Sequence, residues 1–200
     1  MSVDGVLPLL PLPLVLLPGA RMGLKLAERR WLDLLRDRGN GQPAFGVSLL
    51  LGAEPGARAP RPAAHGVEAC IEDFDVGPDG VPVLRLRGGR RFHVEQTRVR
   101  DDGLVMAHVQ WRPEDSDDEL RPQHALLATV LEHIISQAGE DYAPARPALL
   151  DQAGWVGWRL AELLPLEAEQ RLHLLQHDDV HERLDLLLDW IPSVTSDESW

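Results

Sequence analysis

The sequence predicts an α+β protein in which strands fill the first half of the chain and helices fill the second. In the first half, apolar and polar residues alternate between Val67 and Ile71, which is the period of a half-buried strand. In the second half, apolar residues between Leu127 and Ala138 recur every three or four positions and make one helical stripe. A Pro-bounded acidic stretch from Arg112 to Pro122 separates the two patterns, and we predict it to be a linker.

The N-terminal segment from Val6 to Leu17 is almost continuously apolar. Its prolines would break the helix that a signal peptide or a membrane span requires. This run is also too short for a membrane-spanning helix, which needs about 20 residues. A secretory signal would need a basic segment before the run, and the first basic residue is Arg21. We therefore predict buried extended structure here and no membrane partner.

The remaining strands of the first half are predicted from short apolar runs between turn signals. Turns are expected at Gly77–Gly80 and Asp101–Gly103, and a long surface loop is expected at Gly52–Gly66. A short helix is expected from Glu28 to Arg38. The predicted strands are Phe45–Leu51, Val83–Leu86, Phe92–Val94 and Leu104–Trp111.

The second half is predicted to form four helices that pack as a bundle. Pro165 suits the first turn of the third helix, and Pro192 is expected to end the fourth. The predicted helices are Leu127–Ala138, Ala153–Leu164, Pro165–Gln176 and Val180–Ile191. The predicted division of the chain is 1–111 for the β domain, 112–122 for the acidic linker, 123–192 for the bundle and 193–200 for a disordered tail.

Three blocks of the sequence resemble, in the same order, the N-terminal substrate-binding domain of Lon proteases. They are LPLLPLPLVLLPGARMGLKLAERRWLDLLRD (Leu7–Asp37), GVEACIEDFDVGPDGVPVLRLRGGRRFHV (Gly66–Val94) and AELLPLEAEQRLHLLQHDDVHERLDLLLDWI (Ala161–Ile191). The resemblance implies a PUA-like small β-barrel, with one early helix, followed by the helical bundle. It also implies that the partners are unfolded or exposed polypeptide segments.

The sequence departs from full-length Lon in lacking the motifs of its motor and its peptidase. A phosphate-cradling loop needs Gly-x-x-x-x-Gly-Lys-Ser/Thr, and Lys25, the only lysine, stands between Leu24 and Leu26. Lys25 is also the only possible lysine of a Ser–Lys dyad, and it lies in the opening block. Pro13 and Leu14 replace a basic residue common in the family. We expect a stand-alone, non-catalytic member with no cofactor, possessing a role in protein quality control.

Two places in the sequence are candidate polypeptide contacts. Pro18 and Gly19 form the turn of the opening block, and analogy with the family suggests a contact there. Trp155 and Trp158 are three residues apart on one predicted helix, so one or both could present an indole ring to a partner. Core packing is the alternative and the commoner role for such tryptophans. Edge-strand addition or an apolar groove would bind an unfolded chain without strict sequence demands.

An arginine-rich stretch offers a second hypothesis, an RNA-associated PUA-like module. Arg85, Arg87, Arg90 and Arg91 form a basic run in an otherwise acidic chain. However, Arg85 and Arg87 alternate with leucines, as on the solvent face of an ordinary strand. No aromatic residues interleave with them to stack bases. RNA binding is therefore the less favoured of the two hypotheses.

Charge, cysteine content and histidine spacing argue against several other functions. The formal net charge of −12 disfavours DNA as a partner. Cys70, the single cysteine, excludes an intramolecular disulfide and fits a reducing cytoplasm. His177 and His181 have the spacing of a two-histidine metal helix. Asp179 between them is a better N-cap, which would place His177 before the helix, so we predict no metal site.

Overall fold

The structure, a computed structural model, describes residues 4–26, 28–37, 45–52, 61–138 and 147–196. Its contacts divide the chain into two compact units, Met1–Pro113 and Glu114–Trp200. The described part of the first unit holds the strands and one helix, and that of the second holds the remaining helices. The predicted α+β class is therefore confirmed.

The described part of the first unit is built on one sheet of six strands. The elements are β1 (Asp4–Leu12), β2 (Arg21–Lys25), α1 (Arg29–Asp37), β3 (Phe45–Leu50), β4 (Pro62–Val76), β5 (Pro82–Val99) and β6 (Val105–Trp111). The strand order is β2-β5-β4-β3-β1-β6, and β6 also pairs with β5. The strand pairings therefore form a closed circuit of β5, β4, β3, β1 and β6, and β2 pairs with β5 outside this circuit. Among the described strands, only β1 and β3 pair in parallel.

Alternating side chains of β1, β5 and β6 form a core within this unit. Its buried members are Leu7, Leu9, Phe92, Val105, Ala107 and Val109. The prolines of the N-terminal run are compatible with extended backbone, and β1 is a strand as far as Leu12. In β6, Val105, Ala107 and Val109 are buried and His108 between two of them is exposed, which is the alternation of a strand with one buried face.

Two predictions for the first unit are wrong. The sequence predicts strands Val83–Leu86 and Phe92–Val94 with a break between them, whereas β5 is one strand of 18 residues. The glycines of the intervening segment weaken strand propensity, but pairing with neighbours on both edges keeps β5 extended. The loop predicted for Gly52–Gly66 is also too long, because β4 begins at Pro62. A proline is tolerated at the first residue of a strand, where it removes no essential ladder bond.

The described part of the second unit is mainly helical. Its helices are a 3-10 helix (Pro122–His124), α2 (Ala125–Ala138), α3 (Pro147–Leu150), α4 (Ala153–Leu163), α5 (Ala168–Leu174) and α6 (Val180–Ser196). The α4 helix packs against α2, α3 and α6. Its core-facing residues include Leu160, and α6 contributes Leu184 and Leu187, all buried.

Two predicted helix boundaries in this unit are wrong. The third helix begins at Ala168 rather than Pro165, because Glu167 caps it and Gln170 closes a capping box. The fourth helix runs to Ser196 and passes through Pro192, where the sequence predicts its end. Residues 197–200 of the predicted disordered tail lie outside the described residues. A proline removes one hydrogen bond to the preceding turn, but the residues after it can still donate theirs.

Candidate functional site

Strand β2 is the open edge of the six-stranded sheet. In the described chain it pairs only with β5, from Arg21 opposite Arg87 to Lys25 opposite Val83. Gly23, at its centre, is exposed, and a Cβ built on it would meet no atom within 4 Å. The edge is therefore accessible to solvent along a strand of five residues.

The hydrogen bonds at the two ends of β2 show which of its main-chain groups face outward. Gly88 donates to the carbonyl of Ala20 over 2.9 Å, and Leu26 donates to the carbonyl of Pro82 over 2.9 Å. In an antiparallel ladder, hydrogen-bonded pairs alternate with non-hydrogen-bonded pairs. The even-numbered residues of β2 therefore bond to β5. The N–H and C=O groups of Arg21, Gly23 and Lys25 point to the open edge.

An apolar face lies beside this edge, on one side of the sheet. Directly paired residues of antiparallel strands share a face, so the rows Leu24–Leu84–Phe74 and Met22–Leu86–Ile71 cross β2, β5 and β4 together. The central residues, Leu84 and Leu86, are fully buried. At the outer end of β4, Phe74 is 54% exposed and Val76 is 56% exposed. We call Met22, Leu24, Phe74 and Val76 the apolar rim.

The Pro18–Gly19 turn, a predicted contact, fixes β2 onto β5. Gly19 has a φ of 75°, a left-handed conformation that favours glycine. Its N–H donates to the carbonyl of Gly88 over 2.9 Å, and Gly88 donates back to Ala20. A Cβ on Gly88 would lie 2.0 Å from the carbonyl oxygen of Leu17, so the turn requires glycine there. Pro18 and Gly19 are half-buried and lie next to the N-terminal end of the open edge.

The opposite face of the same strands carries the arginines, and it is balanced by acids. Arg85 lies 3.6 Å from Asp73, and Arg21 lies 2.8 Å from Glu72. The hydrogen bond from Arg21 lowers the pKa of Glu72, and the charge of Arg87 adds to that effect. Arg87 is exposed. Acids therefore neutralise much of the positive charge on this face.

The other two predicted nucleic-acid residues, Arg90 and Arg91, have structural partners. Arg90 lies over the Trp111 ring at 4.1 Å and pairs with Glu68 at 3.3 Å. Arg91 is buried, with 4% of its surface exposed, and donates to the carbonyl of Pro113 over 3.1 Å. The four predicted arginines therefore do not form one exposed basic surface.

The two predicted tryptophans lie on α4 in different environments. Trp158 is buried, and its indole N–H donates to the Asp115 carboxylate over 2.6 Å. The buried guanidinium of Arg183 lies 4.3 Å from the Trp158 ring centre and also donates to Asp115. Trp155 is half-buried, with Arg159 at 5.7 Å from its ring centre. Trp158 therefore has a packing role, and only Trp155 presents part of its ring.

The predicted N-cap at Asp179 is confirmed. Its Oδ1 accepts the N–H groups of His181 over 2.7 Å and of Glu182 over 3.2 Å. These hydrogen bonds lower the pKa of Asp179. His177 precedes α6 and contacts His173 at 3.3 Å between their Nε2 atoms. Across the described ranges, no group of three or more His, Cys, Asp and Glu side chains is arranged to hold a metal ion.

Cys70 lies on β4, opposite Arg87 of β5, and is half-buried. Burial raises the pKa of its thiol, the nearby Glu68 carboxylate raises it further, and Arg87 only partly opposes them. A thiol with a raised pKa is protonated at neutral pH and is a poor nucleophile.

Fold and surface together define a mixed α+β protein, with a six-stranded sheet unit that presents an open strand edge and a second, helical unit. The chain belongs to the ATP-dependent protease La (LON) substrate-binding domain family, whose model matches residues 6–193. The resemblance found in the three sequence blocks is therefore confirmed.

Solved structures agree with this assignment. The Lon N-terminal domain protein from Xanthomonas campestris is 58% identical, with a TM-score of 0.78 over 94% of this chain and 99% of that one. The N-terminal domain of the Mycobacterium avium complex Lon protease is 19% identical, with a TM-score of 0.67 over 97% and 100% of the two chains, and it supports the fold alone. A search of the curated proteins returned no match. In the described part of the chain, no helix combines the length and hydropathy needed to cross a membrane.

Sequence reasoning missed the open edge of β2 and the apolar rim. The sequence shows Met22, Leu24, Phe74 and Val76 as ordinary alternating residues, and their exposure depends on which strand lies beside them. One signal was available, because a short strand with basic residues, here Arg21 and Lys25, is typical of a sheet edge.

Proposed function

We propose that this protein is a non-catalytic polypeptide-binding module that recognises unfolded or exposed segments of other proteins. Its membership of a substrate-binding domain family carries the proposal. We further propose that the closed circuit of strand pairings is a PUA-like barrel and that the helices of the second unit form a bundle. We also propose a role in protein quality control in the cytoplasm, which the same family membership supports.

The apolar rim is the surface that we propose to contact polypeptides. Phe74 and Val76 are each more than half exposed, although they share a sheet face with the fully buried Leu84. Complete burial of a Val or Phe side chain is worth about 1.5–3 kcal/mol. Covering the exposed halves of both would therefore contribute about 1.5–3 kcal/mol in total. Such a contribution suits transient capture rather than permanent binding.

The rim gives a physical basis for choosing unfolded over folded proteins. Folded proteins bury most of their large apolar side chains, whereas unfolded chains expose them in extended backbone. Trp155 remains a proposed second contact on the helical unit, because part of its ring is exposed. We propose that Pro18 and Gly19 act indirectly, by holding β2 in place beside the rim.

The proposal is tested by fluorescence anisotropy of the purified protein against a labelled, permanently unfolded polypeptide and a labelled single-stranded RNA. Both titrations are repeated over a salt series, because binding to a nucleic-acid backbone weakens steeply with salt. The test variants are Phe74→Ser and Val76→Ser. Val99→Ser is the matched control, since Val99 is also exposed, at 46%, but lies at the far end of β5.

Polypeptide binding that persists at high salt and falls about three- to tenfold in the two rim variants would support the proposal. The Val99 variant should bind like the wild type. Binding of RNA that collapses with salt would instead favour the arginine hypothesis. Failure of the wild-type protein to bind the polypeptide would refute the proposed function.

A further inference from the structure

We infer that β2 binds its polypeptide partner by strand addition, with the main chain of an extended segment pairing to the open edge at Arg21, Gly23 and Lys25. This inference rests on the proposed function and adds to it the site and the mode of recognition. It predicts that the partner is recognised through its backbone, with apolar side chains as a secondary preference.

The first observation is the set of outward main-chain groups. Because the even-numbered residues of β2 bond to β5, three N–H and three C=O groups of the odd-numbered residues face the open edge. Another extended backbone is the partner whose own donors and acceptors repeat with the same spacing. The chemistry of the edge therefore selects an extended polypeptide of any sequence.

The second observation is the space at the centre of β2. Gly23 is exposed and has no side chain, and a Cβ built at this position would meet no neighbouring atom within 4 Å. Since side chains stand roughly perpendicular to a sheet, this space lies over the face that also carries Arg21 and Lys25, and a partner side chain on that face would meet none from position 23. Gly23 does not have a positive φ, so a left-handed backbone conformation does not explain why this position is a glycine.

The third observation is the position of the apolar rim relative to the edge. Alternate side chains of an added strand would lie beside Met22 and Leu24 on the rim face. Both residues are half-buried, which leaves part of each side chain for contact. The remaining side chains of the partner would lie beside the basic residues Arg21 and Lys25, whose side chains are 72% and 64% exposed. Because Glu72 and Asp79 already pair with these two basic residues, a segment that alternates apolar with uncharged polar residues should bind best.

Short edge strands with basic residues can also serve to prevent unwanted pairing between sheets. The two roles differ in one measurable respect. If the edge only prevents unwanted pairing, its outward amide groups stay in contact with water when polypeptide binds elsewhere. If the edge binds the polypeptide, the same amide groups are shielded from water.

The first test uses Gly23→Pro, with Gly23→Ala as its matched control. Proline removes the outward N–H at position 23 but leaves the bonds to β5, which Met22 and Leu24 make. Alanine keeps the N–H and places its Cβ in open space. The probe is a short labelled peptide of alternating valine and threonine. A control peptide has the same sequence with every amide nitrogen methylated, so it has no N–H groups to donate.

The expected result is about a tenfold loss of peptide affinity in Gly23→Pro, the effect of losing one main-chain hydrogen bond. Gly23→Ala should stay within about twofold of the wild type. The methylated peptide should not bind. Equal peptide affinity of the wild type, Gly23→Pro and Gly23→Ala would overturn strand addition. If the same three proteins still bound the unfolded polypeptide, the proposed function would remain intact.

Hydrogen exchange of the wild-type protein gives a second, independent readout that does not depend on the folding of a variant. Peptide binding should slow exchange at the amides of Arg21, Gly23 and Lys25. The amides of Met22 and Leu24, already bonded to β5, should change little. Unchanged exchange at the three outward amides under saturating peptide would also overturn the inference.

Discussion

The carboxylate of Asp115 lies at the centre of a largely buried polar network in the helical unit. It accepts hydrogen bonds from the Trp158 indole and from the guanidinium of Arg183, whose side chain is only 1% exposed. Arg183 also donates to the carbonyl of His177 over 2.9 Å. Replacement of Asp115 by alanine would remove the negative charge that lies beside the buried guanidinium of Arg183.

The loss of stability expected in Asp115→Ala follows from the burial of the ion pair between Asp115 and Arg183. Removal of one partner of a buried ion pair costs about 3–5 kcal/mol. The Asp115 side chain is 20% exposed, so water can partly replace it beside Arg183. We therefore expect Asp115→Ala to lower the free energy of unfolding of the helical unit by about 2–4 kcal/mol. Asp115→Asn should cost less, because its amide oxygen still accepts the indole N–H.

Urea unfolding followed by tryptophan fluorescence measures the effect, because Trp158 lies in the network itself. Asp117→Ala is the matched control, since Asp117 belongs to the same acidic segment and is exposed. The control should change stability by less than about 0.5 kcal/mol. The double variant Asp115→Ala/Arg183→Met tests the cause, because it removes the buried charge as well as its partner. It should be more stable than Asp115→Ala alone.

Stability of Asp115→Ala within about 0.5 kcal/mol of the wild type would refute this reasoning. It would mean that Arg183 is compensated by water or by other groups. A double variant no more stable than Asp115→Ala would also refute it, because loss of packing rather than an uncompensated charge would then explain the cost.

Three further predictions concern other parts of the fold. Burial lowers the pKa of His181, so the folded protein favours its neutral imidazole. The stability that His181 contributes should therefore be complete above about pH 6.5 and should fall as the pH decreases below that value. The variant His181→Gln should flatten this pH dependence. Gly88→Ala should destabilise the sheet unit by about 1–3 kcal/mol, because its Cβ would clash with the carbonyl oxygen of Leu17. Asp179→Ala should cost the helical unit about 1 kcal/mol through loss of the N-cap.

Each of these predictions has a measurement that can contradict it. For His181, urea unfolding is repeated from pH 7.5 to pH 5, and equal slopes for wild type and variant would contradict the assignment. For Gly88, thermal unfolding is compared with that of Gly23→Ala, whose Cβ meets no neighbour, and equal midpoints would contradict the proposed clash. For Asp179, the free energy of unfolding at neutral pH should recover in Asp179→Ser, which can also cap the helix.

The sequence predicted those parts of the fold that depend on local periodicity. The alternation in β6 and the apolar stripe of α2 each bury one face, so their patterns could be interpreted without knowledge of the neighbours. The continuous strand β5 could not be predicted in this way. Gly88 and Gly89 weaken strand propensity locally, and the strand continues because β2, β4 and β6 pair along it.

The acidic segment after Trp111 shows a second limit of sequence reasoning. The sequence indicates a solvated linker there, and its composition gives no sign that one carboxylate differs from the others. Asp115 binds a side chain that is 68 residues away in the sequence. No local pattern connects Asp115 to Arg183, so the role of Asp115 could be found only from the folded chain.

The open edge of β2 depends on Gly88, a residue that lies outside it. An edge that captures extended chains weakly must be rigid beforehand, because ordering it during binding would consume the small free energy available. The turn at Pro18–Gly19 and its bonds to Gly88 supply that rigidity, since they fix the start of β2 on β5. Gly88→Ala should therefore weaken peptide binding at temperatures where the protein is still folded, although Gly88 contributes nothing to the outward edge. Unchanged affinity in this variant would mean that β2 holds its position without the turn, by its bonds to β5 alone.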